Sequence, residues 1–315
     1  MKASIIIPTQ NRDKLLNSTL RSLMGLDYPK EDFEVIIIDN ASKDNTRQLV
    51  GEFAEKYANI KYTYESNPGL HNARHRGAKV ATGDILVYAD DDVTCDANFL
   101  TEILKPYSDP EVGCVGGKIL PVWEVAPPEW TNIFPKSFLS ILDDNDGPKE
   151  VQWIYGCNFS IRKKLLFEVG GFNPDGFGNR KMWWCRGDGE IGLLRKVRAA
   201  GGKVIYNPAA VVWHFISKER LTVEYFRERA FKAGVETSFS KHHYGKDSVA
   251  IGKLLRSAGV LSFFYLGHHI LGHLPYGKRV KHKIVAYYYK ATCLYELKLI
   301  VDANLQSHVK RCNWL

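Results

Sequence analysis

The stretch Gly83-Asp84-Ile85-Leu86-Val87-Tyr88-Ala89-Asp90-Asp91-Asp92 decides how the rest of this chain is read. The apolar run Ile85–Ala89 predicts a strand buried on both faces, and it leads straight into three carboxylates. Adjacent carboxylates repel one another, so a fold that gathers them usually supplies a cation. Hard divalent ions such as Mg²⁺ and Mn²⁺ take oxygen ligands and often share them with substrate phosphates. Side chains alternate along an extended segment, so Asp90 and Asp92 can face one way while Asp91 faces the other. A solvated acidic turn is the competing account, and three residues alone do not choose between the two.

Working outward, similar apolar runs lie at Ser4–Pro8, Phe33–Asp39 and Ile60–Tyr64. Helical patterns fall between them at about Lys14–Met24, Asn45–Tyr57 and Leu70–Ala81. This alternation predicts an open α/β sheet, in which ligands bind at the carboxyl ends of the strands. Asp39 ends the second run, where it could accept hydrogen bonds from a base or ribose or simply cap a helix. Ser42 and Asp44 are candidate caps for the helix near Asn45, and Gly83 a candidate C-terminal helix glycine. The first turn, Thr9-Gln10-Asn11-Arg12, is not GxGxxG, so a dinucleotide-binding sheet loses its main support. Nor is it the glycine- and basic-rich loop that a sugar nucleotidyltransferase would want. Further along, Val112–Pro121 is apolar, and Val122–Pro148 reads as a long proline- and tryptophan-rich loop that could wall a substrate. Val151–Ile161 is expected as a strand and Gly187–Ala200 as a helix, with short strands at Lys203–Tyr206 and Ala210–Phe215.

With 315 residues, 45% of them hydrophobic and 25% charged, the chain can bury a large core, which argues against disorder. Six cysteines without a CxxC or zinc-type spacing suit free thiols in a reducing compartment. The N-terminal apolar run is too short for a signal peptide, so a cytoplasmic location is expected. The formal charge is +8, and the segment from Val249 onward, with ten Lys/Arg and two Asp/Glu, carries all of it. That asymmetry argues against a nucleic-acid reader built over the whole surface. Within this tail, Val260, Phe263, Phe264, Gly267, Ile270, Leu271 and Leu274 share a helical face, followed by Lys278-Arg-Val-Lys-His-Lys283. His268, His269 and His273 argue against a spanning helix. The stripe suits peripheral docking on an anionic membrane face, or packing on the catalytic domain or on a second subunit in a homodimer.

Ser4-Ile-Ile-Ile-Pro8-Thr9, Val35-Ile-Ile-Ile-Asp39-Asn40-Ala41-Ser42 and Gly69-Leu-His-Asn-Ala73-Arg74 closely resemble the family 2 glycosyltransferases. So does Gly77-Ala-Lys-Val-Ala81-Thr82-Gly83-Asp84 running into Asp90-Asp91-Asp92, and the likeness extends to about residue 216. It implies a GT-A fold, an α/β sheet flanked by helices. Residues 1–216 would form the catalytic domain, with the nucleotide-sugar half at about 1–120 and the acceptor half at about 121–216. Residues 217–315 would be a helical basic extension. The implied activity is metal-dependent, inverting transfer from a nucleoside-diphosphate sugar, UDP favoured, to a glycan or lipid-linked sugar hydroxyl. The resemblance implies the bacterial kind, and the non-processive type fits best, since neither a QxxRW element nor a convincing set of membrane spans is found.

Carried over by position, Pro8, Thr9, Asn11 and Asp39 would hold the nucleoside. Arg74, Asp90 and Asp91 would lie along the donor. Asp92, with Asp90 and His214, would hold Mn²⁺ or Mg²⁺. Asp188 would be the base, although the acidic residue the family usually has before it is here Gly187. Trp183, Trp184, Glu190 and Asn158 are the acceptor-side candidates. For the tryptophans ordinary core packing is an equal account, and Asn158 could be only a polar strand end. A non-catalytic nucleotide- or sugar-binding protein that keeps the fold is the other class.

Overall fold

A computed structural model describes residues 1–175, 184–245, 259 and 275–315. The strands are β1 (Ala3–Thr9), β2 (Phe33–Asp39), β3 (Ile60–Tyr64), β4 (Ile85–Ala89), β5 (Val93–Cys95), β6 (Val112–Trp123), β7 (Lys149–Glu150), β8 (Asn158–Arg162) and β9 (Lys203–Ile216). The helices are α1 (Asp13–Met24), α2 (Thr46–Lys56), α3 (Leu70–Val80), α4 (Phe99–Leu104), α5 (Lys163–Glu168), α6 (Gly189–Ala199), α7 (Val223–Tyr244), α8 (Tyr276–Val301) and α9 (Ala303–Lys310). Among the described residues one sheet runs β3-β2-β1-β4-β8-β6-β9-β5, with β7 beside β9. The pairings β1·β2, β2·β3, β1·β4 and β6·β9 are parallel, and only β5, β7 and β8 run against the common direction.

Strand alternation explains why these runs are apolar throughout. Ile5, Ile7, Val35 and Ile37 pack under α1 and α2, on Leu16, Leu20 and Val50. Ile6, Ile36 and Ile38 point to the opposite face, on Ala73 and Ala78 of α3. Each fully buried side chain of this kind is worth about 1.5–3 kcal/mol, so both faces must be covered by helices. The strands therefore end together at one edge, with β1, β2 and β4 delivering Thr9, Asp39 and Asp90 there.

Several sequence expectations need correction. Gly83 is not a helix C-terminal glycine, because α3 ends at Val80 with Ala81 as its cap. It is glycine because a Cβ there would lie 2.7 Å from the Ala3 carbonyl carbon. Ser42 does not cap α2 but accepts from the Asn11 amide, whereas Asp44 does bond the Thr46 amide at the helix start. The strand expected over Val151–Ile161 begins only at Asn158, because Trp153–Gly156 turns aside to wall a cavity. The two short final strands are one, β9, whose register against β6 breaks between Gly117 and Lys118.

The loop Val122–Pro148 folds into two short 3₁₀ turns, Glu129–Ile133 and Lys136–Leu139. Trp130, Phe134 and Phe138 from this loop pack on Phe226 of α7 and on Val280 and Ile284 of α8. The described part of the extension thus packs on the catalytic sheet's own loop. The apolar stripe Val260–Leu274 lies outside the described residues.

Candidate active site

At the strand edge the three carboxylates separate into three environments. Asp91 turns inward, accepting from Thr9 Oγ1 at 2.7 Å and Arg12 Nη1 at 2.9 Å. Burial pushes its carboxyl up to about 6 although Arg12 opposes the shift. Asp92 accepts from Arg12 at 3.0 Å and from Arg220 Nη2 at 2.8 Å, both on Oδ2. Burial would raise its carboxyl, but His214, Arg220 and Arg12 outweigh that and hold it at about 2. Asp90 alone keeps an open side chain, 35% exposed, with Arg74 Nη2 3.8 Å away.

Asp92 Oδ1 is buried without a hydrogen-bond donor, and the His214 ring nitrogen Nε2 lies 3.5 Å from it. The strand pairing Val93↔His214 brings that imidazole beside the acidic turn. Among the described residues no three His, Cys, Asp or Glu close into a ready metal cage. A divalent ion that borrows phosphate oxygens needs only one or two protein carboxylates. The unpartnered Oδ1, with His214 beside it and Asp90 nearby in sequence, fits that demand. Arg220 lies over the same place, its Nη1 2.6 Å from His214 Nε2.

Two cavities meet at Asp90 and Leu70, which line both. The smaller, about 440 Å³, is walled by Pro8, Thr9, Arg12, Asn40, Asp91 and Arg220 among others. Asp39 and Asn11 stand outside this lining. Asp39 accepts from the Ser42 amide at 2.8 Å and from Tyr62 Oη at 2.7 Å, and burial together with that carboxylate pushes the phenol up to about 12. Asn11, at φ 56°, ties the first loop to the second through the Lys43 amide at 2.7 Å.

The larger cavity, about 620 Å³, holds Arg74, Asp175, Asp188 and Glu190. Arg74 is buried, 2.9 Å from Asp175 Oδ2 and 3.5 Å from Glu190 Oε2. Burial would raise Asp175, yet His71 and Arg74 hold it at about 2. Asp188 and Glu190 differ sharply. Asp188 is 1% exposed at its side chain, and its oxygens accept from Asn173 Nδ2 at 2.7 Å and Ser240 Oγ at 2.6 Å. Glu190, one residue into α6, is 27% exposed toward the cavity.

Of the other acceptor-side candidates, Trp184 and Asn158 are not brought here. Trp183 lies outside the described residues. Trp184 packs with Val235, Phe239 and Tyr295, with Lys298 Nζ 4.4 Å from its ring centroid. Asn158 is fully buried, its amide bridging Lys118 O and Ala210 O across the sheet. Sequence reasoning missed Arg12, Asp175, Arg220 and Ser240. Arg12 sits in the quoted first turn, but the others carry no local pattern.

The profile described as Glycosyl transferase family 2 matches residues 4–170. A Haloferax volcanii glucosyl-dolichyl phosphate glucuronosyltransferase is 25% identical over 242 residues, covering 74% of this chain and 75% of that protein. A probable glycosyltransferase from Bacillus subtilis is 26% identical over 220 residues; the match takes in 67% of this chain and half of that longer protein. Among solved structures, a Pyrobaculum calidifontis mannosyltransferase in complex with GDP-Man and Mn²⁺ superposes with a TM-score of 0.62 at 20% identity, over 96% of this chain and 88% of that one. Staphylococcus aureus TarS with UDP-GlcNAc does so at 0.55 and 18%, over 98% and 92%. At such identities these likenesses establish the GT-A fold.

Proposed function

Since the chain belongs to glycosyl transferase family 2, we propose that it moves a sugar from a nucleoside-diphosphate donor to an acceptor hydroxyl with inversion, one sugar per encounter. The donor would lie in the cavity at Pro8, Thr9 and Asp90, and the acceptor in the cavity at Glu190. The observation that carries this is Asp90 standing where the two cavities join, the place at which donor and acceptor must meet. A base on the acceptor side takes the hydroxyl proton as the hydroxyl attacks. Geometry favours Glu190 over Asp188 for that role, because Asp188 already spends both oxygens on Asn173 and Ser240. Asp188 then serves to position the start of α6. Arg74 holds Glu190 and lies beside Asp90, so it orders both sides.

Asp92 and His214 are the residues proposed to hold a divalent cation, with Asp90 beside them. When bound, the ion would neutralise charge on the departing diphosphate. Arg12 and Arg220 line the same cavity and would flank those phosphates. Relatives and neighbours that use UDP-GlcNAc, GDP-Man or a dolichyl phosphate glucosyl acceptor support nucleotide sugars and a role in polysaccharide or glycolipid assembly. Among the described residues no helix is long and apolar enough to cross a membrane. Contact with the cytoplasmic membrane face is proposed through the exposed Lys278, Lys281 and Lys283 of α8.

Calorimetric titration with UDP, GDP and dTDP, with Mn²⁺ or chelator, tests the donor assignment. Cation-dependent binding of one nucleotide, weakened in Asp92→Ala, is expected and would name the base. No binding under any condition would leave a nucleotide-free sugar binder as the better account.

A further inference from the structure

The two long helices of the extension, α7 and α8, begin side by side, and a cavity of about 370 Å³ opens between their first turns. Three cations line it, Arg227 from α7 with Arg279 and Lys283 from α8, against one carboxylate, Glu224. The sequence sets this up by spacing. Tyr276, Arg279, Val280 and Lys283 recur every three or four residues and so share one face of α8. Glu224 answers little of the charge. Its carboxylate lies 3.8 Å from Arg227 Nη1 and is 78% exposed, where water screens the pair.

The cations are also short of hydrogen-bond acceptors. Arg227 is braced on Tyr287, whose hydroxyl and ring it touches, yet its Nε is buried without a partner. Arg279 Nε is buried and unmet as well, and that side chain has no ion-pair or hydrogen-bond partner among the described residues. Grouped like charges repel, and a buried donor without an acceptor is costly. An anion with several oxygens relieves both penalties at once, and a guanidinium suits phosphate because it offers two N–H groups side by side. The start of α8 adds potential of the same sign, since Pro275 gives it no side-chain cap. Beside the cations the lining is apolar, with Val223 and a buried Val280, and Tyr276 stands 59% exposed.

We propose that this cavity binds a phosphate ester, with Arg227, Arg279 and Lys283 on the phosphate and Val223, Val280 and Tyr276 against its carbon stem. None of its lining residues lines either active-site cavity, so the ligand is neither the sugar donor nor the acceptor. The site therefore stands whether or not the chain transfers sugar. Two sources share this chemistry, a lipid headgroup and a soluble phosphorylated metabolite. The lipid source rests on the membrane contact proposed above, and would turn a diffuse attraction of lysines into a defined seat. Lys278 and Lys281 are exposed on the same helix but lie outside the lining, which makes them the natural control.

The experiment is calorimetry on the full chain with inorganic phosphate, glycerol 1-phosphate and glycerol, beside sedimentation with phosphatidylglycerol and phosphatidylcholine vesicles. Glycerol 1-phosphate should bind and glycerol should not. Arg279→Ala/Lys283→Ala should weaken that binding about tenfold or more, the worth of one charge-assisted contact. Lys278→Ala/Lys281→Ala removes the same formal charge and should leave it nearly unchanged. Because Arg279 has no partner to lose, the cavity variant should keep its thermal midpoint, which separates lost binding from misfolding. Displacement from phosphatidylglycerol vesicles by glycerol 1-phosphate, absent in the cavity variant, would assign the site to a headgroup. Binding of the soluble ester with vesicle attachment that ignores the cavity variant would assign it to a metabolite and leave the membrane contact to the outer lysines. Equal losses in the two double variants, or no binding of either phosphate compound, overturns the proposal.

Discussion

The donor-side and acceptor-side carboxylates are built in opposite ways. Asp90, Asp91 and Asp92 are consecutive, and the end of β4 aims them in different directions within one turn. Their partners Thr9 and Arg12 come from the neighbouring β1 and the turn after it. On the acceptor side, Asp188 is held by Asn173 from one loop and Ser240 from α7, 52 residues on. Glu190 faces a guanidinium from α3, 116 residues away in sequence. A local motif therefore supplies most of the proposed donor side, whereas on the proposed acceptor side Asp188 gains one of its two hydrogen bonds only once the extension has docked. The consequence is that substitutions on the two sides should fail differently.

The largest effect should separate Glu190 from Asp188. Glu190→Gln keeps size and bonding and removes only the base, so sugar transfer should fall about 10²–10⁴-fold. Nucleotide affinity should hardly move. Asp188→Asn should cost less in turnover and more in stability, because its partners are buried donors. Single-turnover transfer rates beside calorimetric nucleotide binding would check this. The reverse ranking of rates would return the base to Asp188 and make the two sides more alike than the static geometry suggests.

Next in size, Ser240→Ala removes one of the two hydrogen bonds that hold a fully buried carboxylate. Leaving a charged acceptor unmet inside costs about 1–3 kcal/mol. Denaturant unfolding should therefore show a lower midpoint with little change in slope. An unaltered midpoint would mean that Asp188 is not held through α7 and that the extension is dispensable for the acceptor side.

Acid should act on the same region. Asp175 sits at about 2, below its unfolded value of 3.8, because His71 and Arg74 favour the carboxylate over the cost of burial. A depressed carboxyl contributes stability that is present above the unfolded value and lost as pH falls toward 2. The thermal midpoint should drop between about pH 4 and pH 2, by the equivalent of about 2 kcal/mol for such a shift. Asp175→Asn should flatten that slope in part, since Asp92 and Glu34 are also held near 2.

What the sequence disclosed follows the same division. Strands buried on both faces write themselves as unbroken apolar runs, so β1 to β4 and the acidic turn were legible within a residue or two. Asp39 was legible as a strand end, but not that Tyr62 and the Ser42 amide engage both its oxygens. The break at Asn207-Pro208-Ala209 looked like an end of strand because an irregular pairing costs the local pattern its period. Arg220 and Ser240 were invisible for a different reason. Each is an ordinary residue on a polar surface until tertiary packing lays it against a carboxylate far away in sequence. Motif spacing likewise pointed to Asp188, while the proposal of Glu190 rests on exposure, which no spacing reports.

The smallest effect concerns Arg220, the one place where the two styles overlap, since it reaches the donor carboxylates from the chain after β9. It bonds Asp92 Oδ2 and touches His214 Nε2, the groups proposed to receive a cation. In the absence of nucleotide it competes with that ion by charge and by position. With a diphosphate bound, the guanidinium would have anionic oxygens to turn to and would release Asp92. Arg220→Ala should therefore tighten Mn²⁺ binding to the nucleotide-free protein severalfold, about 1 kcal/mol, as read by electron paramagnetic resonance of the free ion. The same variant should weaken nucleotide binding in the presence of Mn²⁺, because one phosphate partner is gone. If Mn²⁺ affinity stayed level or fell, Arg220 would be a support for Asp92 and His214, and the donor side would depend on distant packing as the acceptor side does.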